Sequence, residues 1–377
     1  MNSDKLCFVV NDIEFFLSHR VELAEKLSHF YKIHLICNCK NASSDDLKII
    51  HEKNFVIHDL SPRNKSKFIY GYIKYLVNLK RLLNKINPSY VLFITLELSF
   101  IGAIIHHFIE TKKSLFLITG LGPFFHKKRI KYRFIKIVQK LVFTSLKFKK
   151  NYLLIFQNPD DLELFITQHF VKKPYALMIK GNGINMQRYS FIKREFETNL
   201  TFLFASRLVR SKGIIEFINA SKIILKKYPS TKFLIAGKHD ETDPESIDFK
   251  KFKNSISDNS ISYLGCLSQE GLKEYFYKSS IFIMPSYGEG LPKVVLEAAA
   301  TGMPIITTDV NGCRECVSSG YNGFLIQPMN QEDLATAMEA CILNTLNLTK
   351  YSKNSHEMIK NQYSLELIAE EYFKALN

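Results

Sequence analysis

Ile281-Phe-Ile-Met284 runs into Pro285-Ser-Tyr-Gly288-Glu289-Gly290-Leu291-Pro292, and then into Lys293-Val-Val-Leu-Glu297-Ala-Ala-Ala300-Thr-Gly302-Met-Pro304. The order is an apolar strand, a loop turned by two glycines, and a helix. Pro292 suits the first helical position, where a missing N–H leaves no bond unmade. Gly302 ends the helix and Pro304 prevents its continuation. Such a loop aims the backbone N–H groups of Gly290 and Leu291, and the positive end of the helix, at an anion. Glu289 stands in the loop and Glu297 about one and a half turns into the helix, so both can reach one ligand. The helix is otherwise apolar through Val294, Val295, Leu296, Ala298, Ala299 and Ala300. A carboxylate placed there needs a hydroxyl or a cation to bind.

The same alternation of short apolar runs and longer helical patterns fills the chain, which predicts an α/β protein with parallel sheets. Strands are expected at Leu6–Val10, Ile33–Cys37, Phe55–Ile57, Tyr90–Ile94, Leu115–Ile118 and Leu153–Phe156, then at Thr201–Ala205, Lys232–Ala236, Ile261–Leu264, Ile281–Met284 and Pro304–Thr307. Gly181-Asn-Gly183, followed by the strandless stretch Asn185–Leu200, marks the boundary between domains 1–183 and 184–363. Two doubly wound, Rossmann-like domains facing across a cleft are expected, with ligands beyond the carboxyl ends of the strands. The final stretch 364–377 reads as an amphipathic helix with Leu365, Leu367, Ile368, Tyr372 and Phe373 on one side, able to pack back on the first domain.

Thr201–Ala205 leads into Ser206-Arg207-Leu-Val-Arg210-Ser-Lys212-Gly213, a second strand-to-helix loop in the same domain. Arg207 and Lys212 there can hold a pyrophosphate. Cations on a diphosphate and carboxylates on ribose and sugar hydroxyls together suggest a nucleotide sugar.

At this point the motifs resemble a family. Glu289-x7-Glu297 with its Gly-Leu-Pro loop, Arg207…Lys212-Gly213, and Asn311-Gly312-Cys-Arg-Glu315…Gly320-Tyr-Asn-Gly323 look like glycosyltransferase family 4, retaining enzymes of the GT-B fold. Gly120-Leu-Gly122-Pro-Phe-Phe and Phe156-Gln-Asn-Pro-Asp160-Asp161 are similar to a branch that builds bacterial O-antigen and capsule repeat units on undecaprenyl diphosphate. The resemblance implies that Glu297 binds ribose hydroxyls, that Glu289 approaches the transferred sugar, and that Arg207 and Lys212 neutralise the departing diphosphate in place of a metal. It implies a UDP-sugar donor site in the second domain, with Gly290, Leu291 and Pro292 beside it, and a polyprenyl-diphosphate-linked acceptor on the first. No cofactor and no metal are expected, since Asp160-Asp161 begins a helix after Asn158-Pro159 rather than forming a metal-binding loop. Many relatives carry a His near the reacting carbon where this chain has Thr119-Gly120-Leu121-Gly122, with His126 close by. These residues, with His19 and Arg20 in the first strand-to-helix region, are the acceptor-side candidates; for His19 and Arg20 a helix-start role is equally open.

Charge points the same way. Residues 1–188 hold 30 Lys+Arg against 14 Asp+Glu, a net +16, whereas residues 189–377 hold 21 against 22. The longest acid-free window, between Glu110 and Asp160, contains Lys112, Lys113, Lys127, Lys128, Arg129, Lys131, Arg133, Lys136, Lys140, Lys147, Lys149 and Lys150. Ile130, Phe134, Ile137, Val138, Leu141 and Val142 give the same region an apolar side, as in an interfacial helix or a core helix with a basic outer face. The basic half is therefore expected to meet an anionic membrane, and the resemblance implies that this is the inner face of the bacterial cytoplasmic membrane. No stretch is apolar enough for a spanning helix, and the start of the chain lacks a signal peptide's pattern. Seven irregularly spaced Cys, including Cys37-Asn-Cys39 and Cys313-Arg-Glu-Cys316, fit a reduced cytosol and structural roles.

Other classes fit less well. Gly120-Leu-Gly122 lacks the third glycine of a dinucleotide site and no GK[ST] occurs. No aromatic-interleaved basic motif or zinc module points to nucleic acid. A nucleotide-sugar 2-epimerase on the same fold is the alternative enzyme, and would act on a UDP-N-acetylhexosamine without an acceptor.

Overall fold

The computed structural model describes residues 4–60, 68–121, 130–197, 199–257 and 260–377. The chain forms two compact units, Met1–Gly183 with Leu365–Asn377, and Ile184–Ser364.

In the first unit, β1 (Lys5–Asp12) is followed by α1 (Ile13–His19), α2 (Val21–Ser28), β2 (Lys32–Asn38), α3 (Ser44–Glu52) and β3 (Val56–Asp59). Then come α4 (Phe68–Ile86), β4 (Tyr90–Ile94), α5 (Leu96–Ile105), β5 (Lys113–Ile118), α6 (Ile130–Ser145), β6 (Tyr152–Phe156), α7 (Pro159–Thr167) and β7 (Ala176–Met178). The strands lie in the order β3-β2-β1-β4-β5-β6-β7, all parallel. Central strands such as β4 and β5 are apolar on both faces because helices cover both. Phe93, Phe116, Phe143, Phe156 and Phe165 fill one side of the sheet; Phe8, Phe16, Leu35 and Leu117 fill the other.

The second unit runs β8 (Thr201–Ala205), α8 (Ile214–Lys227), β9 (Lys232–Ala236), α9 (Phe249–Ser255), β10 (Ile261–Tyr263) and α10 (Gln269–Lys278). It continues through β11 (Ile281–Met284), α11 (Lys293–Ala300), β12 (Ile305–Thr308), β13 (Gly323–Ile326), α12 (Gln331–Leu343) and α13 (Thr345–Gln362). The order β10-β9-β8-β11-β12-β13 is again parallel throughout. Its order reverses between β8 and β11, the strands that feed the two loops singled out above. Ligands bind α/β sheets at such a reversal.

The last helix, α14 (Leu365–Leu376), belongs to the first unit. It buries Leu365, Ile368, Tyr372, Ala375 and Leu376 beside α2, and Lys113 Nζ donates to the Ala375 carbonyl at 3.0 Å. Leu367, expected on the inner side, faces outward, because the packed stripe follows the i, i+3, i+7 positions from Leu365. No helix among the described residues is long and apolar enough to cross a membrane.

Candidate active site

The loops after β8 and β11 are pressed together at a glycine. Gly213 has φ +73°, and a Cβ on it would stand 2.0 Å from the Pro285 carbonyl oxygen. Only glycine permits both the left-handed backbone and the contact. Gly312 does the same on the other side: at φ +73°, its Cβ would fall 2.4 Å from the carbonyl oxygens of Glu289 and Gly290. Further bonds fix the Glu289 loop. Tyr287 N–H donates to the Ser211 carbonyl at 2.8 Å, and Glu289 N–H to the Asn311 carbonyl at 3.2 Å. The Tyr287 hydroxyl donates to Glu216 Oε1 at 2.6 Å; burial, and then this bond, raise its pKa. Thr308 donates its hydroxyl proton to the Ser286 carbonyl.

This framework brings Lys212 and Glu289 together, the ammonium Nζ donating to Glu289 Oε1. Both side chains are largely buried, at 17% and 13% exposure, so the pair is poorly screened by solvent. The fully buried Ser286 donates to the same carboxylate oxygen at 2.7 Å. Sequence reasoning passed over Ser286, although it lies inside the quoted loop. Cys313 is buried nearby, and burial together with Glu289 pushes its thiol up to about 12, so it stays neutral.

Glu297 is 7% exposed, as its apolar helix requires, and meets Lys293 Nζ at 3.2 Å. The cation that a buried carboxylate demands is thus partly supplied one turn earlier on α11. Pro292 is the N-cap of α11 and not its first helical residue, with φ −78° and ψ 100°; the helix begins at Lys293. The shift lengthens the loop by one residue and leaves Gly290 and Leu291 half-buried at the turn into the helix.

Arg207 is not part of the Lys212–Glu289 cluster. It is 63% exposed and pairs with Asp243 at 2.7 Å. Asp243 and Glu245 sit on a segment that lies against the β8 loop, where Arg210 N–H donates to the Glu245 carbonyl at 3.0 Å and Ser211 to the Glu245 carboxylate. Nothing in the local sequence signalled this acidic segment as the partner of the basic loop.

Arg194, another residue unread in the sequence, holds α11 in place. Its guanidinium is 8% exposed and donates to the carbonyls of Phe276 (2.6 Å), Ser279 (3.3 Å) and Thr301 (2.5 Å), and to Thr301 Oγ1 at 3.0 Å. These acceptors close the C-terminal ends of α10 and α11, where partial negative charge gathers.

In the first unit, His19 ends α1, with Nδ1 2.6 Å from the Ser18 hydroxyl and its ring stacked on Phe15. Arg20, the other candidate of this region, follows it in the chain. It is 1% exposed, at the break between α1 and α2, beside Tyr372 of α14, and burial lowers its pKa. Thr119 and Gly120 follow β5, with Gly120 at φ +138°. Gly122 and His126 lie outside the described residues, as do Lys127, Lys128 and Arg129 of the basic window. Among the described residues no group of three His, Cys, Asp or Glu is placed to hold a metal ion, and the Cys residues there are free thiols.

Two parallel doubly wound units, one with a cation and a carboxylate at its strand-order reversal, define a glycosyltransferase of the GT-B fold. Residues 185–364 match the family model described as glycosyl transferases group 1, and residues 5–158 the model described as glycosyl transferase 4-like. The chain belongs to the glycosyltransferases that join these two domains. It is 25% identical over 332 residues, 85% of this chain and 84% of the relative, to the N,N'-diacetylbacillosaminyl-diphospho-undecaprenol alpha-1,3-N-acetylgalactosaminyltransferase of Campylobacter jejuni. It is 23% identical to the capsular polysaccharide biosynthesis glycosyltransferase CapM of Staphylococcus aureus, over 87% of each chain. Among solved structures, Anabaena HepE in complex with UDP and glucose superposes with a TM-score of 0.76 at 15% identity, over 99% of each chain. The epimerase alternative is not favoured, because the matched models and both named relatives describe glycosyl transfer.

Proposed function

We propose that the enzyme transfers a hexose or N-acetylhexosamine, with GalNAc or GlcNAc the first choice, from a UDP-sugar to an undecaprenyl-diphosphate-linked saccharide. Anomeric configuration is retained, and the product serves O-antigen or capsule assembly on the inner face of the cytoplasmic membrane. The observation that carries this reading is the Lys212–Glu289–Ser286 cluster at the reversal point of the second sheet, with Glu297 on the adjoining helix. The activity of the Campylobacter relative supports the acceptor class, the capsule role of the Staphylococcus relative supports the polysaccharide product, and the UDP-bound Anabaena structure supports the donor class.

In this reading the diphosphate takes the Lys212 ammonium, with Arg207 and the Gly290–Leu291 backbone as further donors. Glu289 is then released toward the hydroxyls of the transferred sugar, and Glu297 accepts from the ribose. The acceptor is received by the first unit, near His19, Thr119 and Gly120. Because Lys212 and Arg207 supply positive charge to the leaving group, no divalent metal is required.

A panel of UDP-sugars offered with a synthetic polyprenyl-diphosphate sugar, with the product linkage read by NMR, tests the reaction. Transfer is expected from one UDP-N-acetylhexosamine, undiminished by EDTA; turnover of donor to an epimer with no acceptor present overturns the proposal. Glu297→Gln is expected to raise KM for the donor by about tenfold to a hundredfold, the weight of one charge-assisted hydrogen bond, with a smaller change in kcat. An unchanged KM removes Glu297 from the donor site.

A further inference from the structure

Of the apolar side that the sequence shows on α6, Phe134, Ile137 and Leu141 do not face the core, whereas Val142 at its edge packs against it. Phe143 and Leu146 are buried against the sheet, whereas Phe134, Ile137 and Leu141 stand 67%, 55% and 65% exposed. At about 100° per residue, Phe134, Ile137 and Leu141 share one stripe on the side of the helix opposite Phe143. Helix α6 is therefore apolar twice over, once for the core and once outward, with Arg133, Lys136 and Lys140 along one flank of the outer stripe.

The outer stripe continues onto neighbouring elements. Helices α4 and α6 both pack on α5. Ile73 and Val77 of α4 are exposed, and Lys80 Nζ lies 4.9 Å from the ring centre of Phe108, itself 60% exposed in the short turn after α5. The adjacent His107 Nε2 is 2.9 Å from Ser145 Oγ at the end of α6, and Phe148, 77% exposed, follows with Lys147 over its ring. Between Asp59 and Asp160 the chain carries 19 Lys+Arg and only two acids, Glu97 and Glu110. The Tyr72 hydroxyl on α4 donates to Glu97.

We infer that the outer face of α4, the His106–Phe108 turn and α6 is a docking surface for an anionic lipid bilayer, with Phe134, Ile137, Leu141 and Phe148 entering the headgroup boundary and the lysines and arginine reaching the lipid phosphates. Charge complementarity selects an anionic partner. Exposed phenylalanine, isoleucine and leucine among the cations select lipid over nucleic acid, which offers no apolar phase. Apolar residues flanked by long basic side chains match the depth profile of an interface, the stems lying along the apolar layer and the charges above it. This names the surface by which the proposed transferase reaches a lipid-linked acceptor, and rests on that reading only for its biological purpose.

The test is flotation with phosphatidylglycerol-rich and with pure phosphatidylcholine vesicles. The intact protein is expected to float with the anionic vesicles and to be released by high salt. Phe134→Ser/Ile137→Ser/Leu141→Ser is expected to weaken binding by about tenfold or more. Arg133→Gln/Lys136→Gln/Lys140→Gln is expected to weaken it by about a hundredfold at low salt and to abolish the lipid preference. Leu346→Ser, at an 86% exposed site in the other unit, serves as the control and is expected to change nothing. Because the chain has no Trp, Phe134→Trp gives a single reporter whose emission shifts to the blue on vesicles if the site inserts. Transfer to a water-soluble short-prenyl acceptor is expected to survive in every variant, so docking and catalysis fail separately. Vesicle binding unchanged in the serine variant overturns the inference. Self-association or nucleic-acid binding that the serine variant abolishes, without vesicle binding by the intact protein, overturns it too.

Discussion

Lys212→Ala is expected to lower kcat by about a hundredfold to a thousandfold, the effect of removing one preorganised charge from a developing anion. In the proposed reaction the ammonium exchanges its Glu289 partner for the diphosphate when the donor binds, so it already stands beside the leaving group when the glycosidic bond breaks. Removing it also leaves the Glu289 carboxylate, 13% exposed, with Ser286 as its hydrogen-bond donor, and an unpaired buried charge is destabilising by about 3–5 kcal/mol. Lost activity alone therefore does not separate chemistry from folding. Lys212→Ala/Glu289→Gln separates them: deleting both charges is expected to recover most of the stability, read by urea denaturation, while transfer stays low. A double variant that regains activity along with stability, or a single variant within threefold of the intact enzyme, sinks the role assigned to Lys212.

The sequence made the sheets legible because buried parallel strands are uninterrupted apolar runs, as in Tyr90–Ile94 or Ile281–Met284. It hid β7 and β13, which have three and four residues and sit at sheet edges, too short for a periodic signal. It hid α13 as well, whose Asn, Ser and Thr content is poor for helices and whose buried positions reduce to Leu348, Tyr351, Ser352, Ser355 and Ile359. The site divides similarly. Glu289, Glu297 and Lys212 were readable because a charge beside glycines, or inside an apolar helix, departs from its surroundings. Asp243 opposite Arg207 was not readable, because 36 residues separate the partners and only the fold joins them. Helix α6 shows a further limit: periodicity revealed an apolar stripe, but which of two stripes meets the core depends on the sheet beneath.

Arg194→Ala is expected to destabilise the second unit by about 3 kcal/mol or more, because several buried acceptors lose a charged donor at once and each buried polar group left unpaired costs about 1–3 kcal/mol. The buried guanidinium has its charge met by the carbonyl ends of α10 and α11 and the Thr301 hydroxyl, with no carboxylate bonded to it among the described residues. Burial lowers its pKa to about 10, still well above neutrality, so the cation persists in the folded protein at pH 7. For a group whose folded pKa is depressed below its unfolded value, stability rises with pH where the unfolded form still binds the proton and the folded form does not. Any change from this titration is thus a gain confined to above about pH 10, and a flat profile near neutrality follows. Arg194→Lys keeps the charge but offers a point donor in place of a planar fork, and is expected to recover only part of the loss. Since Thr301 caps the helix that carries Glu297, the same variant is expected to raise donor KM through displacement of α11, whereas kcat at saturating donor changes less. Unchanged urea denaturation for Arg194→Ala, or a KM rise without any loss of stability, would contradict a structural anchor and move Arg194 into contact with substrate.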